Sequence, residues 1–217
     1  MVIQKFFMAL SGSFLILFLI AHLAGNLEIF SGPDAMNTYA AFLRTVPKAL
    51  WILRILTIVA FVTHIGLSIN LSLKNKAARP TPYALNRPQK ASMASRTMLW
   101  SGLLFLSFLL FHLAHLTWGW VNPEYAELLD SKGRHDVYTM VVMGFREPTL
   151  SAFYIAAQFF LFMHISHGFS SAAQTLSFTR TEYAEWIRRL GIVFAATVCL
   201  LYASIPLGVL FGYVTIP

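Results

Sequence analysis

The chain has 217 residues, 57% of them hydrophobic and 12% charged, with a formal net charge of +7 and one cysteine. Its apolar residues gather in long runs rather than short alternations, which excludes an ordinary water-soluble globule. The single Cys199 excludes a disulfide framework, a cysteine zinc site and a cysteine-held iron–sulfur cluster within the chain. The basic residues fall between the apolar runs, where membrane orientation accounts for them and nucleic acid is not needed.

A hydrocarbon core about 30 Å thick needs on the order of 20 apolar residues per helix, and five runs reach that length. The first, residues 6–29, has only Lys5 ahead of it, lacks a small-residue cleavage site and carries a histidine late, so it reads as a membrane helix rather than a cleaved signal. Ser31-Gly32-Pro33-Asp34 breaks it. The second run is residues 49–73; Arg79-Pro80-Thr81-Pro82 and Pro88 keep it from running on into the third, residues 97–121. Residues 149–176 and 190–214 complete the set, the last expected to bend at Pro206. Trp51, Trp118, Trp120 and Trp186 stand toward span ends, as an interfacial aromatic belt does. The expected fold is all-α, a single transmembrane domain over residues 1–217 with five spans.

Orientation follows from the charges. With the N-terminus inside, the inner segments hold Lys5, Lys74, Lys76, Arg79, Arg87, Lys90, Arg96, Arg180, Arg188 and Arg189 against Glu182 and Glu185. In the outer segments Arg44, Lys48, Arg54, Lys132, Arg134 and Arg146 are balanced by Glu28, Asp34, Glu124, Glu127, Asp130, Asp136 and Glu147. Cytoplasmic loops carry the Lys/Arg excess, so the N-terminus is expected in the cytoplasm and the C-terminus outside.

Of 7 histidines, only His135 lies in a loop. Ionisable side chains at membrane depth are costly, so the rest raise a functional question; a neutral imidazole bonded across a helix interface is the plain alternative. Depth separates these readings. His22 and His112 lie about fifteen residues from the inner ends of spans one and three, roughly 22–24 Å up, near the outer face. His64 and His164 lie about fifteen residues from the outer ends of spans two and four, roughly 22 Å down, near the inner face. Four antiparallel helices thus give two pairs at two heights, the arrangement that two stacked bis-histidine haems need. Imidazole suits iron, and haem with both axial positions filled passes electrons rather than binding oxygen.

Ser11-Gly12 precedes His22 by ten residues and Ser101-Gly102 precedes His112 by the same interval. That places each glycine about 15 Å away, near the level of the other pair, where it would let a porphyrin lie close or two helices pack. His115 and His167 follow His112 and His164 by one helical turn, so either could be the ligand in place of its neighbour; a bond to a haem propionate is the other role open to them. Asn26 and Glu28, one to two turns beyond His22, are candidates for handling quinol protons, or simply a polar helix end.

The chain resembles a known family, the five-helix dihaem cytochrome b membrane subunit of succinate:quinone oxidoreductases and quinol:fumarate reductases. The resemblance covers all five spans. It rests on Ile20-Ala21-His22-Leu23, Val62-Thr63-His64, Leu110-Phe111-His112-Leu113 and Phe162-Met163-His164, with the Ser-Gly spacing. It implies two haems b, His22 pairing with His112 and His64 with His164. It further implies flavoprotein and iron–sulfur partners on the cytoplasmic face, exchange with membrane quinone, menaquinone first, and a bacterial cytoplasmic membrane. The chain itself would hold no catalytic residue for succinate or fumarate. The segment from Lys74 to Arg96 would help hold the iron–sulfur partner. Phe162 and Met163 stand where some fumarate reductases carry a glutamate before the fourth ligand, so no proton route through span four is expected. A hydrogenase or formate dehydrogenase cytochrome, or a haem-free anchor or transporter, is the alternative class.

Overall fold

In lipid every backbone N–H and C=O must find its partner within the chain, so apolar runs of this length fold as helices. The structure, a computed structural model, describes residues 2–78, 93–177 and 181–217. Arg79, Pro80, Thr81, Pro82, Arg87, Pro88, Lys90 and Arg180 lie outside the described residues. The elements in order are α1 (Val2–Leu27), α2 (Pro33–Thr45), α3 (Pro47–Ala77), α4 (Met93–Leu116), α5 (Pro123–Ala126), α6 (Val137–Arg146), α7 (Pro148–Thr175) and α8 (Ala184–Leu210). Among the described residues there is no strand, only an isolated bridge between Leu129 and His135. α1 with its following 3-10 turn, and α3, α4, α7 and α8, are each long and apolar enough to cross a membrane. The chain is an all-α, multi-pass membrane protein.

Two spans end earlier than the hydropathy of their sequences suggests. α4 stops at Leu116 rather than Val121 because the Trp118 N–H turns back to the Leu113 carbonyl and the Trp120 N–H to that of Ala114. Gly119, at φ +65°, makes that reversal possible. α8 likewise stops at Leu210, where Gly212 at φ +74° brings the Tyr213 and Val214 N–H groups to the Gly208 carbonyl. α8 starts six residues before the expected 190 and continues through Pro206.

Two short helices, α2 and α6, were not legible as spans. Proline sets the start of α2 at Pro33, of α3 at Pro47, of α5 at Pro123 and of α7 at Pro148, where its fixed φ suits a first turn and no N–H is missed. α6 is started instead by Asp136, whose carboxylate accepts the Thr139 N–H at 3.0 Å. Both lie at one end of the bundle, called here the capped end.

A polar latch holds that cap. Asn37, 1% exposed, donates to Asp136 at 2.9 Å and accepts the Tyr138 N–H at 3.0 Å, so α2 is tied to the start of α6. Arg134 donates to Asp130 at 2.7 Å, to Asp34 at 2.7 Å and to Thr38 at 2.7 Å. Burial pushes the Asp130 carboxyl up, but the Arg134 guanidinium and the backbone N–H groups of Arg134 and Lys132 outweigh it and hold the carboxyl at about 2. Hydrogen bonds from Lys132 and Arg134 likewise hold Asp34 below the usual carboxylate range.

Beneath the latch, Ile29, Met36, Phe108, Val142, Phe145, Tyr154 and Val209 form the main apolar core. Inside the bundle α7 packs on α8 and on α4, α3 packs on α1, and α1 reaches α7 and α8; α3 hardly meets α4. Two helix pairs, α1 with α3 and α4 with α7, therefore face each other, and α8 covers α7. That layout positions the histidines.

Candidate paired-histidine site

The six span histidines fall on α1, α3, α4 and α7. The structure brings His22 of α1 to His112 of α4, with ring centres 6.0 Å apart and planes at 84°. It brings His64 of α3 to His164 of α7, with ring centres 6.1 Å apart and planes at 71°. Gly12 lies beside His64, and His22 follows on α1 ten residues later, so the pairs stand about 15 Å apart along the helix. Each pair draws one ring from the α1–α3 unit and the other from the α4–α7 unit.

Local sequence explains the seating of His64 and His164. A Cβ at Gly12 would lie 3.0 Å from His64 Cε1, and one at Gly102 would lie 3.1 Å from His164 Cε1. Each glycine is thus the notch that receives an imidazole from the partner helix, and any side chain there would press on the ring. The match extends further than Ser-Gly: Met8-Ala9-Leu10-Ser11-Gly12 on α1 corresponds to Met98-Leu99-Trp100-Ser101-Gly102 on α4. His64 Nδ1 is 3.2 Å from the Met8 carbonyl, which can only accept, so Nδ1 carries the proton and Nε2 the lone pair. Ser11 turns its hydroxyl to the Phe7 carbonyl at 2.8 Å, within its own helix. His164 Nδ1 is buried with no hydrogen-bond partner among the described residues.

The other pair is seated by side chains. His22 stacks on Phe18 one turn back, with ring centres 5.6 Å apart and planes at 9°, and stands 6.3 Å from the Tyr202 ring. Tyr202 donates to the Leu19 carbonyl at 2.7 Å, which ties α8 to α1 at this level. His112 Nδ1 is 3.4 Å from the hydroxyl of Tyr154, and the same hydroxyl is 3.0 Å from His115 Nδ1. His115 is therefore engaged by α7, with its Nε2 toward Gly144 of α6. His167 is half-buried one turn from His164, and its carbonyl accepts from Ser170 at 3.0 Å.

Sequence reasoning passed over Tyr154. The available signal is spacing: it precedes His164 on α7 by ten residues, the interval by which Gly12 precedes His22, and so lies at the level of the other pair. Asn26 lines a cavity of about 190 Å³ beside His22, together with Gly25, Met36, Tyr39, Leu43 and Val137. Its amide donates to the His22 carbonyl at 2.8 Å. Glu28 opens the 3-10 turn beyond and does not border the cavity.

A metal bound by two trans imidazoles at about 2.0–2.1 Å separates their ring centres by roughly 6 Å. The separations of 6.0 Å and 6.1 Å match that requirement at both levels. His64 has its lone pair on Nε2, as an axial ligand needs, and His22 keeps accessible surface within a span. Each pair has the spacing that a metal held by two imidazoles would need. Comparison of the chain with family models, with curated proteins and with solved structures gives no match.

Proposed function

We propose that the chain is a dihaem cytochrome b, the quinone-reactive membrane anchor of a succinate dehydrogenase or fumarate reductase. The observation that carries this reading is the double pairing of imidazoles from four helices at ring separations of 6.0 and 6.1 Å. Histidines kept only for packing have no reason to meet twice at a metal-spanning distance. Haem held on both axial faces supplies single-electron transfer without an open position for oxygen.

The chain's own residues do the holding. His22 and His112 grip one haem, His64 and His164 the other, and Gly12 and Gly102 leave room for the rings of the second pair. A level spacing of about 15 Å divides the membrane into short electron steps. The N-terminus and the Lys74–Arg96 segment face the cytoplasm of a bacterial cell, where an iron–sulfur protein and its flavoprotein dock. Quinone, menaquinone first, meets the capped end, where Asn26 borders a cavity against His22 and Glu28 follows two residues on.

Haem analysis of the purified chain tests this directly. The expected content is two haems b per chain. Replacing His22 or His112 by alanine should remove one and the same haem, and replacing His64 or His164 the other. A purified chain free of porphyrin, or losses that group the four residues differently, would overturn the reading. Copurifying covalent flavin supports the succinate assignment, whereas nickel or molybdenum in the complex would move the chain to a hydrogenase or formate dehydrogenase.

A further inference from the structure

Tyr154 touches both histidines of the last turns of α4, and with His112 Nε2 given to a metal one order of hydrogen bonds uses the phenol proton. Its oxygen is 3.0 Å from His115 Nδ1 and 3.4 Å from His112 Nδ1. A phenol has one proton to give, and a neutral imidazole has one N–H and one acceptor nitrogen. With His112 offering Nε2 to a metal, its Nδ1 keeps the proton and donates it to the Tyr154 oxygen. The phenol proton then points to His115 Nδ1, and the His115 proton stands on Nε2. His115 Nε2 is buried with no partner of its own and lies over Gly144, where a Cβ would approach it to 3.0 Å.

The tyrosine has little freedom to leave this position. Its ring lies edge to face against Phe145 at 4.8 Å and Phe108 at 5.1 Å, and it is 6% exposed. His115 is 3% exposed. Burying two imidazoles and a phenol is costly, and the two hydrogen bonds through the phenol offset part of that cost, leaving His115 Nε2 unpartnered.

The contrast with the other pair gives the trio its meaning. At His64 the Nδ1 proton goes to a backbone carbonyl, that of Met8, at 3.2 Å. At His112 it goes to a side chain whose own proton is committed to a third residue. An acceptor on Nδ1–H makes an imidazole more electron-rich and favours oxidised iron, and a phenol is a weaker and more adjustable acceptor than a carbonyl. We infer that Tyr154, oriented by His115, is a positioning residue that fixes the tautomer and ring plane of His112. It thereby sets the potential of the haem on that side independently of the other. This rests on the haem reading above.

The test uses the full-length chain, purified from membranes, as Tyr154→Phe and as His115→Leu. Redox titration of the optical α-band and the low-spin ferric resonances report each haem separately, and the haem lost in His112→Ala identifies which is which. In Tyr154→Phe both haems should remain, and the one assigned to His112 should shift about tenfold toward reduction, about 59 mV for a one-electron couple. Its resonance should move as well, while the His64/His164 haem keeps its midpoint and its line. His115→Leu should shift the same haem in the same direction by less. Unmoved midpoints and lines in Tyr154→Phe, or an equal movement of both haems, would overturn the inference. Should Tyr154→Phe fail to fold, an unmoved His112 haem in His115→Leu would overturn it. Absence of porphyrin from the unaltered chain is a different result, and it defeats the underlying reading instead.

Discussion

A valine at Gly12 would set a branched side chain against an imidazole that already lies 3.0 Å from the Cβ position. The ring could yield only by leaving its partner across the bundle. We expect Gly12→Val to lose the haem held by His64 and His164 while keeping the other, with an overpacking cost of about 1–3 kcal/mol. Haem content per chain falling from two to one, with the residual spectrum matching that of His64→Ala, is the readout. At this scale the sequence was informative wherever depth alone decides a position. His22, His64, His112 and His164 could be paired by counting along helices, because a helix rises uniformly. Tyr154 could not be singled out, since a tyrosine in a span has many uses and only its contact with two imidazoles gives it this one. Nor could Ser-Gly reveal which group fills its notch; the structure puts an imidazole there.

Between elements, one buried amide carries part of the latch that holds α2 to the start of α6. Asn37→Leu would leave the Tyr138 N–H without its partner in a covered site and take from Asp136 Oδ1 one of its two donors, the Thr139 N–H remaining. The expected loss is about 1–3 kcal/mol, seen as a lower thermal midpoint in detergent with the visible spectrum at room temperature unchanged. The same cap carries a pH dependence through Asp130. Its carboxyl is held at about 2 when folded, against roughly 3.9 in an unfolded chain, so its contribution is complete above pH 4 and disappears as the pH falls toward 2. Asp130→Asn should flatten the decline in thermal midpoint between pH 4 and pH 2; an identical decline in both proteins would refute this assignment. These two helices escaped a reading by apolar run length because each is short and two-faced. Pro33 and Asp136 do mark their starts, but such marks count only once a helix is suspected.

For the whole molecule, the five crossings were legible because lipid leaves a chain of this composition no other regular structure. Their neighbours were not, since hydropathy says nothing about which helix meets which. The packing shows that α3 leans on α1 and hardly on α4, whereas α7 is embraced by α4 and α8. Haem bridging His64 to His164 would therefore contribute most to the seating of α3. Removing haem should raise amide exchange along α3 well before that of α8, and uniform loosening of all five spans would contradict this.

The sharing of each ring pair between the two helix units also bears on how the protein is made. α1 and α3 leave the ribosome first, and on the haem reading they offer one imidazole to each site and complete neither. A nascent chain arrested before α4 would thus present only half-jaws, and cofactor capture opens in two steps, the His22/His112 site with α4 and the His64/His164 site with α7. Ribosome-arrested chains ending before α4 should retain no haem, and chains ending after α8 should retain both.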